Sequence, residues 1–312
     1  MRQRMLVTAA VGALILTSGV PASLAADVAC DPAGCISVSK LAQNIADKLH
    51  NKVVGFVSIV GDLPSVFEGQ ARTSADPPQT AMLPDLPINV ASVTKLLTTI
   101  AVLKSMAKHG LTLDSKISPY LYSNWTQGPL INTITFRELL SHSAGFRENC
   151  NGSNTTYAVI KQQIADGVKR ADMVDQHGSP IHSYDNCNFA IFRELLPQME
   201  HARIAVQPES LRAEQSASFY IGYVNQTVFQ PAGVPPRTCR LPRGPNDITG
   251  SPYSAILSYP FPPQTNHGTD WGDWTLACGG GGWVLSAGDL YKVINGIANG
   301  NLLTKAEKAE MS

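Results

Sequence analysis

The stretch NVASVTKLLTTIAVLKSMAKHG, Asn89 to Gly110, constrains this chain more than any other. Its long apolar run, free of proline and ending at a glycine, predicts a buried helix that opens near Ser92. The head of the run spells S-x-x-K, Ser92 with Lys95. At a helix N-terminus, unpaired backbone N–H groups and the positive dipole end can hold a developing oxyanion. Residue i+3 lies on the same face one turn on, so the Lys95 ammonium can approach the Ser92 oxygen. Leu96, Leu97, Ile100, Ala101 and Leu103 flank that lysine and bias it toward its neutral, basic form. A capping serine beside a snorkelling lysine has the same spelling, and the tetrad alone leaves both readings open.

The same tetrad recurs at Ser37–Lys40 and Ser105–Lys108. Ser105 and Lys108 fall in the last turn before Gly110, where the dipole is reversed and a lysine is simply a favourable C-terminal charge. Ser37 and Lys40 fit an amphipathic helix at the edge of the domain.

The 312 residues are 44% apolar, enough for a substantial core, and 24 basic residues balance 24 acidic ones. No global field favours nucleic acid, an anionic membrane surface or a polyanionic substrate. Residues 1–26 read as a secretory signal peptide: Arg2 and Arg4, a short apolar core, then small residues. No later apolar run is long enough to span a bilayer, so the expectation is a secreted or periplasmic protein without stable membrane insertion after signal removal. Six cysteines in an exported chain point to disulfides. Of the possible pairings, Cys30–Cys35, Cys150–Cys187 and Cys239–Cys278 are expected, the second tying two walls of the proposed site. No C-x-x-C repeat suggests zinc. N-x-S/T sequons begin at Asn124, Asn151, Asn154 and Asn225.

Val53–Val60 and Ser65–Gln70 read as a β-hairpin, and the four prolines of Ala71–Pro87 read as a loop. Thr135 with Glu138 and Ser286 with Asp289 spell helix starts. Asn188–Met199 and Glu214–Phe229 fit helices, whereas Pro231–Pro263 fits a long surface excursion. Cys278-Gly279-Gly280-Gly281-Gly282 permits close backbone approach or forms a flexible turn. The order predicts an α/β (α+β) fold, an antiparallel sheet flanked by helices with a mostly helical insertion. Residues 27–110 and 275–312 form the α/β part, and 111–274 the mainly helical part.

Residues 88–145, with the Ser92 helix and the LLSHSAGF turn, followed in order by YDNCNFAIFRELL, FYIGYVNQTVFQPAGV and GGGGWVLSAGDL, resemble the class C β-lactamase-type serine hydrolases, which include D,D-peptidases, penicillin-binding proteins and related esterases. The resemblance runs over roughly Leu41 to Met311 and implies a second motif, Y-x-N. This occurs at Tyr122–Asn124, Tyr184–Asn186 and Tyr223–Asn225. Tyr184 matches in chain order, whereas Tyr122 comes too early and Tyr223 lies inside a helical pattern. The resemblance implies Ser92 as nucleophile, Lys95 and Tyr184 as the proton-transfer pair and Asn186 as the substrate-positioning group, with no cofactor or metal. The substrate is a small molecule or peptide with an amide, peptide, lactam or ester bond. A noncatalytic penicillin-binding-like protein is the alternative. His142 in LLSHSAGF also admits a Ser-His-Asp triad, but no G-x-S-x-G elbow surrounds any serine. Trp271 and Trp274 read as packing or as a cleft wall.

The family's third motif, Lys or His then Thr or Ser then Gly on a strand, has no counterpart. His267-Gly268-Thr269 is the nearest spelling and is out of order. A hairpin wants further strands, and none is legible after the Ser286–Ala298 helix. The expectation is an incomplete sheet with an unpaired face or edge, a chain that stops short of the full domain, and low turnover.

Overall fold

A computed structural model describes residues 28–31, 34–146, 150, 154–204, 208–241, 256–262 and 266–311. The signal-peptide reading of residues 1–26, the sequon at Asn151 and residues 242–255 of the Pro231–Pro263 excursion lie outside the described residues. The described residues open on a hairpin, β1 (Val28–Asp31) and β2 (Gly34–Ser37), in which Cys30 and Cys35 stand opposite in backbone register. The Cys30 side chain lies outside the described residues. Ser37 then caps α1 (Val38–Leu49), its Oγ accepting the Lys40 N–H at 3.1 Å. This first decoy tetrad is a helix cap on a helix that buries only Ala42.

The expected hairpin is present as β3 (Gly55–Ser58) and β4 (Val66–Arg72). It is not alone. β5 (Thr80–Ala81), inside the proline-rich segment expected to be a loop, pairs with the far side of β4 through Gln70 and Arg72 and makes a three-stranded antiparallel sheet. Two residues are too few to show an alternating pattern, so the sequence carries no signal for that strand. β3 has β4 as its single partner among the described residues. Beside it opens an apolar cavity of about 400 Å³ lined by Phe56, Val57, Leu86, Ile256, Leu285 and Leu290.

β6 (Ile88–Asn89) leads through a short 3-10 turn, Ala91–Val93, into α2 (Thr94–Lys108). α3 (Phe136–Leu140), α4 (Tyr157–Asp166), α5 (Arg170–Met173), α6 (Cys187–Ala190), α7 (Phe192–Met199) and α8 (Glu209–Val224) follow. β7 (Val284–Leu285) pairs back onto β6, and α9 (Ala287–Ala298) and α10 (Lys305–Ala309) end the described chain. Both expected capping boxes, Thr135 with Glu138 and Ser286 with Asp289, are formed. The fold is a mixed one, small antiparallel sheets beside many helices.

α2 is the axis of the core. Leu97, Ile100, Ala101 and Val102 are wholly buried, and α7, α8 and the segment around Trp283 pack about them. Two opposite charges, Arg193 and Glu194, lie side by side and fully buried in this core. Arg193, with no exposed surface, bonds the carbonyls of Cys278 (2.9 Å) and Thr155 (2.8 Å) and pairs with buried Glu194 (3.3 Å). A buried guanidinium is tolerated only when paired and hydrogen-bonded, and here it anchors the chain that enters the glycine run.

Candidate active site

The turn before α2 is held in a costly shape. Ala91 has φ +45°, a conformation worth about 1–3 kcal/mol of strain for a residue with a side chain. Its N–H donates to Asn89 Oδ1 (2.9 Å), Val90 N–H to the Trp283 carbonyl (2.8 Å), and Trp283 N–H to Thr94 Oγ1 (3.1 Å). Bonds on both sides fix the turn, and Ser92 stands exposed at its top. The capping reading of Ser92 fails here, because the cap position belongs to Val93 and no side chain caps α2.

Instead Ser92 Oγ lies 2.6 Å from the Tyr184 hydroxyl and 3.3 Å from Lys95 Nζ. Lys95 Nζ also donates to Asn186 Oδ1 (2.7 Å) and to the Gly280 carbonyl (2.5 Å) and sits 4.7 Å from the centre of the Tyr184 ring. The four residues singled out in the sequence, Ser92, Lys95, Tyr184 and Asn186, thus meet at one point. Burial lowers the Lys95 pKa below the usual lysine value, a fall that the neighbouring Tyr184 and Asp185 partly oppose. Burial raises that of Tyr184, but the hydrogen bonds from Lys95 and Ser92 and the ammonium charge outweigh it and bring the phenol below its usual value.

Gly280 is the member of this cluster that sequence reasoning missed. Its carbonyl holds Lys95, and the Gly279 carbonyl takes Thr98 Oγ1 at 2.8 Å. A side chain at Gly280 would meet the Asn186 carbonyl at 2.8 Å. The glycine run is therefore a buried strap that needs close backbone approach, not a flexible turn.

The decoys are settled by their partners. Ser105 Oγ (2.6 Å), Lys108 Nζ and the Tyr223 hydroxyl (3.0 Å) all converge on Glu200. Tyr122 is buried against Trp125 and Tyr157, its hydroxyl toward Glu194. His142 has its Nδ1 facing the Asp185 N–H and packs on the Tyr184 ring, so no Ser-His-Asp triad forms through it. His267 pairs with Asp76, whose carboxylate also takes the Gly268 N–H. Trp274 lies against Gly281 and Gly282 and takes part in packing, whereas Trp271 is half exposed and bonds Ser258 at 2.9 Å.

Cys150–Cys187 and Cys239–Cys278 are bonded as expected, with Cα atoms 5.5 and 6.1 Å apart. The first joins the segment after the LLSHSAGF turn to the residue following Asn186, and the second fixes the start of the glycine strap. Asp185 lies close to Cys150 and Cys187, but sulfurs bonded to each other offer a metal no thiolate. The Asn225 amide nitrogen is spent on the Ile221 and Arg237 carbonyls, which disfavours glycan attachment there, whereas Asn124 is exposed and engages Arg212 only through Oδ1.

The sequence matches the Beta-lactamase family over residues 41–312, and the chain belongs to that family, whose members are serine hydrolases acting on amide and lactam bonds. A solved structure of SurE aligns at TM-score 0.58 and 20% identity, over 86% of this chain and 57% of SurE. The β-lactamase/D-alanine carboxypeptidase of Yersinia pestis, complexed with citrate, aligns at TM-score 0.60 and 15% identity, over 88% of this chain and 74% of that one. Over 56 residues the chain is 46% identical to the putative fimbrial assembly protein FimD, serogroup D, of Dichelobacter nodosus, a stretch covering 18% of this chain and 14% of FimD. The chain thus spans little more than half of SurE and a small part of FimD. Among the described residues no helix is long and apolar enough to cross a membrane.

Proposed function

We propose that this chain is an exported hydrolase, secreted or periplasmic, that opens an amide, peptide, lactam or ester bond through an acyl-enzyme on Ser92. The observation that carries the reading is the 2.6 Å contact between Ser92 Oγ and the Tyr184 hydroxyl with Lys95 Nζ beside both. Ser92 Oγ attacks the substrate carbonyl carbon and passes its proton into the Tyr184–Lys95 pair. One proton inventory has two arrangements. Charged Lys95 donates to Ser92 while Ser92 donates to a Tyr184 phenolate, or the Tyr184 hydroxyl donates to Ser92 while Ser92 donates to neutral Lys95. The pair titrates as a unit.

The tetrahedral intermediate's negative oxygen is stabilised at the positive end of α2 by the Ser92 N–H. It collapses as the C–N or C–O bond breaks, and the leaving group takes the proton the pair received. Water then attacks the Ser92 ester, gives a proton to the same pair and releases the acid, restoring the Ser92 hydroxyl. Asn186 orients Lys95 and faces the site as an amide able to bond the substrate's own amide or carbonyl.

A panel of a chromogenic cephalosporin, a peptide ending in D-Ala-D-Ala and a short-chain ester tests the reading and sorts the substrate. Turnover of at least one member that disappears in Ser92→Ala is expected. A panel turned over equally by both proteins contradicts it, and capture of labelled penicillin on Ser92 without turnover leaves a binding protein instead.

A further inference from the structure

His142 touches the tyrosine from three directions. The Ser183 N–H donates to the His142 carbonyl at 2.7 Å, and the Asp185 N–H donates to His142 Nδ1 at 3.3 Å. The residues before and after Tyr184 are therefore bonded to one and the same histidine. The His142 ring backs the Tyr184 ring, centroids 4.5 Å apart and tilted by 31°. Tyr184 is 54% exposed, so its placement depends on a few contacts such as these, whereas His142 is 7% exposed and rests on Phe189 as well.

We propose that His142 is a positioning residue for Tyr184: it clamps the backbone on both sides of the tyrosine and backs its ring, so that the phenol oxygen stays on Ser92. This rests on the reading of Tyr184 as a proton-transfer group. The clamp requires a neutral imidazole. Nδ1 faces two donors, the Asp185 N–H and the Asn188 side-chain amide at 3.3 Å, so it must offer a lone pair, with the proton on Nε2. Protonation would turn that acceptor into a donor and break the bond to Asp185. Burial, then the charges of Lys95 and His182, hold the ring neutral, its pKa pushed down to about 4. Asp185 completes the titratable groups around it, its buried carboxyl raised above the usual range and bonded to the Cys187 N–H at 2.6 Å. His142 also has φ +57°, a left-handed conformation that histidine and asparagine accept more readily than most residues.

The test labels tyrosine at the ring ζ-carbon with ¹³C and follows Tyr184 by NMR against pH, with Tyr184→Phe to assign it, in wild type, His142→Ala and His142→Asn. In parallel, the rate of fluorophosphonate capture on Ser92 is measured in each. In wild type, Tyr184 loses its proton below pH 10.0, the ordinary phenol value. In His142→Ala the freed tyrosine moves from Lys95, its titration rises toward that value, and capture slows about 10- to 100-fold. His142→Asn keeps an oxygen acceptor near the Nδ1 position and tolerates the left-handed backbone, so it recovers part of both. Should His142→Ala fail to fold, His142→Asn alone decides, with a partial shift expected. If both variants titrate Tyr184 and capture the probe as wild type does, whatever happens to Tm, the proposal is overturned. If wild type takes no label yet Tyr184 titration still moves in His142→Ala, the positioning stands and the hydrolase reading falls.

Discussion

At the head of α2, Ser92 and Lys95 meet Tyr184, with Asn186 two residues beyond it; at the tail, Ser105 and Lys108 meet Tyr223, with Asn225 two residues beyond. The side chains are the same and their chemistry diverges because of one carboxylate. At the tail, Glu200 accepts from Ser105, Lys108 and Tyr223 and pairs with His109. Burial pushes the Glu200 carboxyl up, but those hydrogen bonds outweigh it and hold it below the usual range, while burial and then the Glu200 charge push the Tyr223 phenol up. Every proton at this end is locked in place. At the head, the acceptors around Lys95 are a hydroxyl, an amide oxygen and a carbonyl, none of them charged. Lysine and tyrosine both move below their usual values, which suits the proposed exchange of a proton between them. Under the proposed function, the same four letters make a reactive cluster or a structural clamp, depending on whether a carboxylate neutralises the lysine.

Removing the lysine from each end should give the widest contrast. Lys95→Met is expected to slow Ser92 capture of a fluorophosphonate by about 10²- to 10⁴-fold, the usual range for losing general acid–base assistance. Lys108→Met should leave the rate within about twofold, as a surface change remote from the reacting groups does. Equal losses at the two ends would collapse the comparison.

Building a carboxylate into the head should make it behave like the tail. Asn186→Asp places a charge where an amide oxygen now lies 2.7 Å from Lys95 Nζ. Lys95 then holds its proton to higher pH, and capture at pH 7 falls about tenfold or more and recovers as the pH is raised. An unchanged pH–rate profile would mean that the Lys95 proton has no part in capture.

The reverse change at the tail acts on stability. Glu200→Gln keeps the shape but removes the charge that four groups address, and a loss of about 1–3 kcal/mol in unfolding free energy is expected. Capture by the folded protein should not change. The sign of the pH effect follows from the lowered carboxyl. Its contribution is fully present above the ordinary glutamate value of 4.5 and is lost as the pH falls through the lower folded value. The acid side of the stability curve should therefore be shallower in Glu200→Gln, and identical curves would remove Glu200 from the account.

Which serine, lysine and tyrosine come together was legible because helix polarity and chain order separate the copies of each motif. Ser105 fails at a helix C-terminus and Tyr223 inside a helix, on grounds visible in the letters alone. The Gly280 carbonyl was not legible. Every residue has a carbonyl, and the one that meets Lys95 lies 185 positions away, brought there by Arg193, Thr98 and the Cys239–Cys278 bond. The grip of His142 on Tyr184 was hidden for the same reason, since two of its three contacts run through the backbone. Of the strands paired over four residues, β3 and β4 were legible, whereas β1 and β2 were not read as strands. β5, β6 and β7 have two residues each, and their pairing is imposed by neighbours.

The most direct test is to map the adduct. The chain is exposed to a fluorophosphonate or labelled penicillin, digested, and the modified peptide sequenced by mass spectrometry. The account predicts one modified residue, Ser92, with Ser105 and Ser37 untouched and no adduct in Ser92→Ala. Modification at another serine, or labelling that survives Ser92→Ala, would contradict it.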